Sequence, residues 1–170
     1  MAPTRRAVQP LDLKASLRSA LATSERITQY LLEGLPEAVW QARAPAGEGR
    51  TIAAIVAHVH NVRLMWLKVA AKGSKLPVQL DRGAVTPARA RKALAQSFAA
   101  VDRLVTGALE GDGRIKNFPP DVVAFAGYLI AHESHHRGQI CLLVRQLGHR
   151  LSSAVIFGMW EWNKRWQEII

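Results

Sequence analysis

Ala131-His132-Glu133-Ser134-His135-His136-Arg137-Gly138-Gln139-Ile140 is the most telling stretch of this chain. His132 and His136 stand four apart, so on a helix both imidazoles project from one face about one turn apart. The residues sharing that face are Phe125, Tyr128, Leu129, Ile140 and Leu143. The pair therefore points where core side chains point. Two imidazoles so placed are within reach of one metal at a ligand distance of about 2.1 Å.

A second segment, Ile55-Val56-Ala57-His58-Val59-His60, sets another histidine on an apolar stripe with Ile55, Val62, Met65, Trp66 and Val69. A histidine alone on such a stripe is usually a satisfied core side chain. Three on the inward faces of two helices make a stronger pattern, because imidazole is a leading ligand for zinc, nickel, iron and copper. His58, His132 and His136 are thus the candidate ligands. His60 and His135 are rotated about 100° to 200° from their neighbours and are expected to face another helix or solvent. His149 follows Gly148 and is expected at the surface. Gln139, one turn past His135 and His136, is placed to orient a ligand imidazole. Tyr128, one turn before His132, is a candidate catalytic hydrogen-bond donor or ordinary core with a wet tip. Glu133 and Arg137 fall off the ligand face, Arg137 within reach of a neighbouring carboxylate, and Cys141 reads as packing.

Around these segments the periodicity is helical throughout and no strand pattern occurs. A first amphipathic helix runs from Leu11 to about Leu32, on a stripe of Leu13, Leu17, Ala20, Leu21, Ile27, Leu31 and Leu32. Gly34 and Pro36 stop it. Residues 35–50, with Pro36, Pro45, Gly47 and Gly49, form a loop that Trp40 can pin to the core. Thr51 caps a second helix reaching Ala71, apolar on more than half its circumference and so largely buried. Thr86-Pro87 opens a third helix to about Leu109, striped with Leu94, Phe98, Val101, Leu104, Val105 and Ala108. Pro119, Pro120 and Asp121 open a fourth, closed near Leu147 by Gly148. Ser152 or Ser153 starts a short last helix that ends in Trp160-Glu161-Trp162-Asn163-Lys164-Arg165-Trp166. The expected fold is all-α: a four-helix bundle with a short additional C-terminal helix. Residues 1–10 are expected as a flexible tail and residues 11–170 as one domain.

Composition bounds the setting. The 170 residues are 49% hydrophobic, enough for one full core, and the one cysteine excludes an internal disulfide. No leader-like run and no long uncharged apolar stretch occurs, so the expectation is a cytoplasmic protein without a membrane span. The net charge of +10 is concentrated in residues 51–120. Its densest part, Arg63 to Lys92, has eight basic residues against Asp81 alone. Such a surplus attracts acidic molecules, but no recognition helix or aromatic platform accompanies it, so specific nucleic-acid binding is not expected. The expected place for this region is the mouth of the metal cavity or a subunit edge.

His132-Glu133-Ser134-His135-His136 also matches H-E-x-x-H, the zinc hydrolase pattern in which the glutamate is general base. Glu161 is a possible further ligand in that reading. The extended glycine and histidine positions of the pattern hold Gln139 and Leu142, there are no strands to hold a peptide, and His58 is left without a role.

The segment from His132 to Ile140 resembles the H-x-x-x-H-R-G-Q segment of the DinB-like (YfiT-like) metal-binding four-helix proteins. Thr51-Ile52-Ala53-Ala54-Ile55-Val56-Ala57-His58-Val59 resembles their second-helix motif, and Phe157-Gly158-Met159-Trp160-Glu161-Trp162-Asn163 their C-terminal segment. The resemblance implies a three-histidine site on His58, His132 and His136 for a divalent metal (zinc, nickel or iron). It also implies a homodimer and a thiol-dependent transferase or isomerase using a low-molecular-weight thiol such as bacillithiol or mycothiol, acting on a small-molecule substrate. A non-catalytic metal- or ligand-binding stress-response bundle is the alternative, and an H-E-x-x-H hydrolase the lesser one. The basic region from Lys72 to Lys92 has no counterpart in the resemblance.

Overall fold

The computed structural model describes residues 10–44, 47, 49–71 and 73–169. The expected tail, Pro45 and Lys72 lie outside the described residues, except for Pro10. Four long helices form the body: α1 Leu13–Glu33, α2 Ile52–Ala70, α3 Pro87–Glu110 and α4 Val122–Gln146. Two short ones, α5 Ser153–Gly158 and α6 Trp162–Gln167, follow. No strand occurs among the described residues, and no described helix is long and apolar enough to cross a membrane.

Each long helix starts on a side-chain cap. Asp12, Thr51, Thr86 and Asp121 accept hydrogen bonds from the amides of Ala15, Ala54, Arg89 and Ala124, satisfying donors the helix itself cannot. The first cap corrects the boundary read from periodicity: α1 begins at Leu13, after Asp12, and Leu13 is 72% exposed, so it is not part of the core stripe. Met65 of α2, at 50%, also lies outside it. Gly148 closes α4 with φ of +78°, a left-handed conformation that favours glycine.

The connection after α1 holds a 3₁₀ turn, Glu37–Val39, and Trp40 is buried as expected, its indole N–H donating to Val85 O at 2.7 Å. The chain end departs from expectation: one helix becomes two, with α5 and α6 separated near Trp160. The Tyr30 hydroxyl of α1 donates to Ala154 O, its ring sits directly against Gly158, and the Arg165 guanidinium lies 3.9 Å above it. Only a residue without Cβ lets the ring come that close.

The core is split along the bundle. One apolar cluster gathers Leu31, Trp40, Ile52, Val56, Leu94, Ile140 and Val144. The other gathers Leu21, Leu67, Val101, Val105, Phe125 and Leu129. Between them runs a buried polar layer. Its centre is Arg63, 2% exposed, which is therefore not part of the surface basic region to which its sequence position assigned it. From α2 it donates to Glu25 of α1 at 2.5 Å, to Glu133 of α4 at 2.7 Å and to Leu94 O of α3 at 3.0 Å. Burial and the two carboxylates act in opposite directions on the guanidinium, and the carboxylates prevail, raising its pKa.

Removing the cation leaves two carboxylates buried and unpaired. Arg63→Met is expected to lower the unfolding free energy by about 3–5 kcal/mol in urea titrations followed by circular dichroism. Replacing Glu25 and Glu133 by leucine in the same chain is expected to restore most of it. No loss on Arg63→Met contradicts the role assigned to the layer.

Candidate metal centre

The polar layer carries the candidate site on its α2–α4 side. His58 lies two turns into α2, and His132 and His136 lie mid-way along α4. One ring nitrogen from each of the three falls within 4.8 Å of the others. The Nε2 atoms of His132 and His136 face each other at 3.1 Å. Two nitrogens on one tetrahedral ion at about 2.1 Å stand about 3.4 Å apart, so the pair is already close to ligand spacing. The His58 ring is 4.8 Å from His136 and 5.4 Å from His132, centroid to centroid. His58 and His132 are half-buried and His136 buried, so the cluster opens to one side.

Protonation favours ligation. Burial, then the charges of His136, Arg50, His132 and Arg82, push His58 down to about 4. Burial and His136 lower His132. Burial lowers His136 against the opposing hydrogen bond to Gln139. Three neutral imidazoles at neutral pH are what a divalent ion needs.

Gln139 sets the tautomer. Its amide Nε2 donates to His135 Nε2 at 2.9 Å, which leaves Oε1 to accept from His136 Nδ1–H at 2.8 Å. Nε2 of His136 is then unprotonated and faces His132 Nε2. Tyr128 stacks on His132 at 5.9 Å and 26°, and belongs to an aromatic group with Trp66, Phe118 and Phe125.

The other histidines separate as the helical angle requires. His135 is exposed. His60 is fully buried, between the loop after α2, where its Nε2 donates to Val78 O, and the Ala93 backbone of α3. His149 is half-buried, its amide bonded to Val144 O. Burial raises the Cys141 thiol, in keeping with packing. Arg137 donates to Thr28 Oγ1 and Ser134 Oγ and not to a carboxylate.

Glu133 decides against the H-E-x-x-H hydrolase. One residue past His132, it is turned about 100° from the ligand face. Its carboxylate is buried and held by Arg63, so it cannot serve as a base at the cluster. Glu161 is taken up by Lys164 at 2.5 Å and is no part of the cluster.

Sequence reading missed the pairing of Arg63 with Glu25 and Glu133. A signal for it was present: Val56, Val59, His60, Arg63 and Leu67 follow helical spacing, and an arginine on a buried stripe demands partners.

A model of the DinB superfamily matches residues 20–140, most of the bundle and all three histidines. The chain belongs to the DinB superfamily. The DinB family model matches residues 120–165, which hold α4, α5 and the start of α6. No curated protein matches the chain. Membership accounts for the DinB bundle; the convergence of the three imidazoles is read from this chain's own geometry and is compatible with metal binding.

Two outcomes follow for this DinB protein. Elemental analysis should find about one divalent metal per chain, lost in the variant carrying both His132→Ala and His136→Ala. No uptake from excess zinc or nickel contradicts the centre. The second concerns pH. The folded histidines titrate below their ordinary value of 6.5, so on acidification the unfolded chain takes up protons first. Metal-free protein should lose thermal stability as the pH falls from about 6.5 toward 4. A variant without the three histidines should lose less over that range.

Proposed function

We propose that His58, His132 and His136 hold a divalent metal (zinc, nickel or iron). The protein then acts as a metal-dependent enzyme of the thiol S-transferase or isomerase type, with a low-molecular-weight thiol such as bacillithiol or mycothiol as cosubstrate. The observation that carries this reading is the meeting of three neutral imidazoles on two helices, open on one side. A divalent ion in that donor set supplies net positive charge and an open coordination position, easing deprotonation of a thiol or water.

The surrounding residues favour the thiol. Glu133 is committed to Arg63, and no other described carboxylate joins the cluster. On the same ion a thiol, with an ordinary pKa of about 8.5, starts far closer to deprotonation than water, at about 15.7. Gln139 holds His136 in the ligating tautomer. We assign Tyr128, beside His132, the role of hydrogen-bond donor to the substrate.

The lack of a general base also leaves room for the non-catalytic reading, a metal- or ligand-binding bundle. A screen separates them: metal-loaded protein with bacillithiol, mycothiol or glutathione against epoxide and activated-alkene electrophiles. Turnover that His58→Ala lowers at least a hundredfold supports the enzyme. No turnover and no thiol binding by calorimetry supports the bundle.

The reading includes a homodimer in the cytoplasm. Leu142, Phe157 and Trp160, exposed at 57%, 67% and 77%, offer an apolar face for a second copy. The single cysteine suits a reducing compartment. Specific DNA recognition is no part of it: Lys68, Lys75, Arg82 and Arg89 lie on a helix end, a loop and the next helix start. Sedimentation analysis should give a dimer that Trp160→Glu dissociates, and a Trp160→Glu chain that stays dimeric contradicts this face.

A further inference from the structure

The last turn of α2, the second half of α3 and the loop after each enclose a groove of about 490 Å³. Its floor is Leu67, Leu76, Leu104 and Ala108, all packed into the second apolar cluster. Its rim is cationic. Lys75 comes from the loop after α2, Arg103 from α3, and Arg114 and Lys116 from the loop between α3 and α4, and all four are exposed. None of the three histidines lines it. α2 enters it at Leu67, roughly 14 Å farther along the helix than His58.

Both loops are held in place. The chain after α2 turns back along that helix: Val78 O accepts from His60 Nε2, and Asn61 makes a reciprocal pair with Leu80, donating to its carbonyl and accepting from its amide, both at 3.0 Å. In the loop after α3 the Gly113 amide donates to Ala108 O at 2.9 Å, and the Val122 amide donates to Gly113 O at 2.8 Å. Ile115 is buried in the second cluster, which leaves Arg114 and Lys116 at the surface on either side of it.

One acid lines the groove with the four cations, and that acid, Asp112, accepts from the Arg114 amide at 3.0 Å. Among the described residues none of the four cations has a salt bridge or a side-chain hydrogen bond. Charges of one sign gathered in a concave surface concentrate anions there. The floor suits a hydrocarbon body, and no aromatic side chain lines the groove to stack a nucleobase. Gly107, inside α3, also lines it, and a Cβ there would meet nothing within 4 Å. Neither packing nor a left-handed backbone calls for glycine at this position, where it weakens the helix relative to alanine; its effect is to leave the groove wide.

We propose that this groove is a binding site for a small amphipathic anion, an aliphatic chain ending in a phosphate monoester. The chain lies on the leucines of the floor. The phosphate, carrying about two negative charges at neutral pH, accepts from the guanidiniums of Arg103 and Arg114 and the ammonium groups of Lys75 and Lys116. The volume falls within the range usual for small-molecule sites, about 300–1,000 Å³. The fixed loops need little ordering on binding, and the exposed rim makes each charge contribution modest and sensitive to salt. The groove is separate from the metal centre and does not depend on it.

Calorimetric titration of the full-length protein with hexyl phosphate, inorganic phosphate and 1-hexanol provides the test. Hexyl phosphate should bind roughly tenfold or more tightly than either fragment. Arg103→Gln and Arg114→Gln should each weaken it about threefold and together about tenfold, less so at high salt. Gly107→Leu, which fills the groove without a clash and favours the helix, should weaken it about tenfold while leaving thermal stability at least at the parent's level. Arg89→Gln, which removes an exposed charge from the first turn of α3, should change nothing. Hexyl phosphate binding no tighter than its fragments, an equal loss in Arg89→Gln, or no loss in a folded Gly107→Leu overturns the site. Vesicles of phosphatidylcholine with and without phosphatidic acid form a further arm. Sedimentation of the protein with the acidic vesicles, without binding of hexyl phosphate, makes the rim a membrane-facing patch and overturns the soluble ligand.

Discussion

One guanidinium holds the bundle at its middle. Arg63 reaches α1, α3 and α4 from α2 through Glu25, Leu94 O and Glu133, with almost no contact with water. A buried ion pair seldom adds net stability over a well-packed apolar cluster. What it does fix is register: sliding or rotating any one of the four helices leaves a buried charge without its partner. Above and below this level the apolar clusters tolerate volume-conserving change; here a charge has one set of partners.

The candidate metal centre inherits that register. Glu133 is the neighbour of His132, and Arg63 lies five residues beyond His58, so the bond between them fastens the two ligand-bearing helices at the height of the imidazoles. The 100° between successive side chains divides the work: His132 turns to the open side, Glu133 to the interior. The same division rules out the hydrolase pattern. Around the cluster, Gln139 selects a tautomer and burial keeps the imidazoles neutral.

Much of this was legible in the chain. Caps at Thr51, Thr86 and Asp121 and the stop at Gly148 follow from local chemistry, and the burial of Trp40 from its bulk. So does the grouping of His58, His132 and His136, since helical spacing fixes which face a residue occupies. Which neighbouring helix that face meets is another matter, set by packing between distant segments. For that reason Arg63 looked like one more charge in a basic run, although it is the centre of the core. The path of residues 73–86 was hidden likewise, because its tethers at His60, Asn61 and Trp40 come from elsewhere in sequence. The break between α5 and α6 depends on Tyr30 fitting against Gly158, again a long-range contact.

The central claim is that three imidazoles, and no carboxylate, hold one divalent ion. X-ray absorption at the zinc edge of zinc-loaded protein tests it most directly. The account predicts a first shell of nitrogen and oxygen donors near 2.0–2.1 Å, with outer-shell scattering from three imidazole rings. Scattering from two should remain in His58→Ala. A shell with two or fewer imidazoles in the parent chain, or one unchanged by His58→Ala, contradicts it.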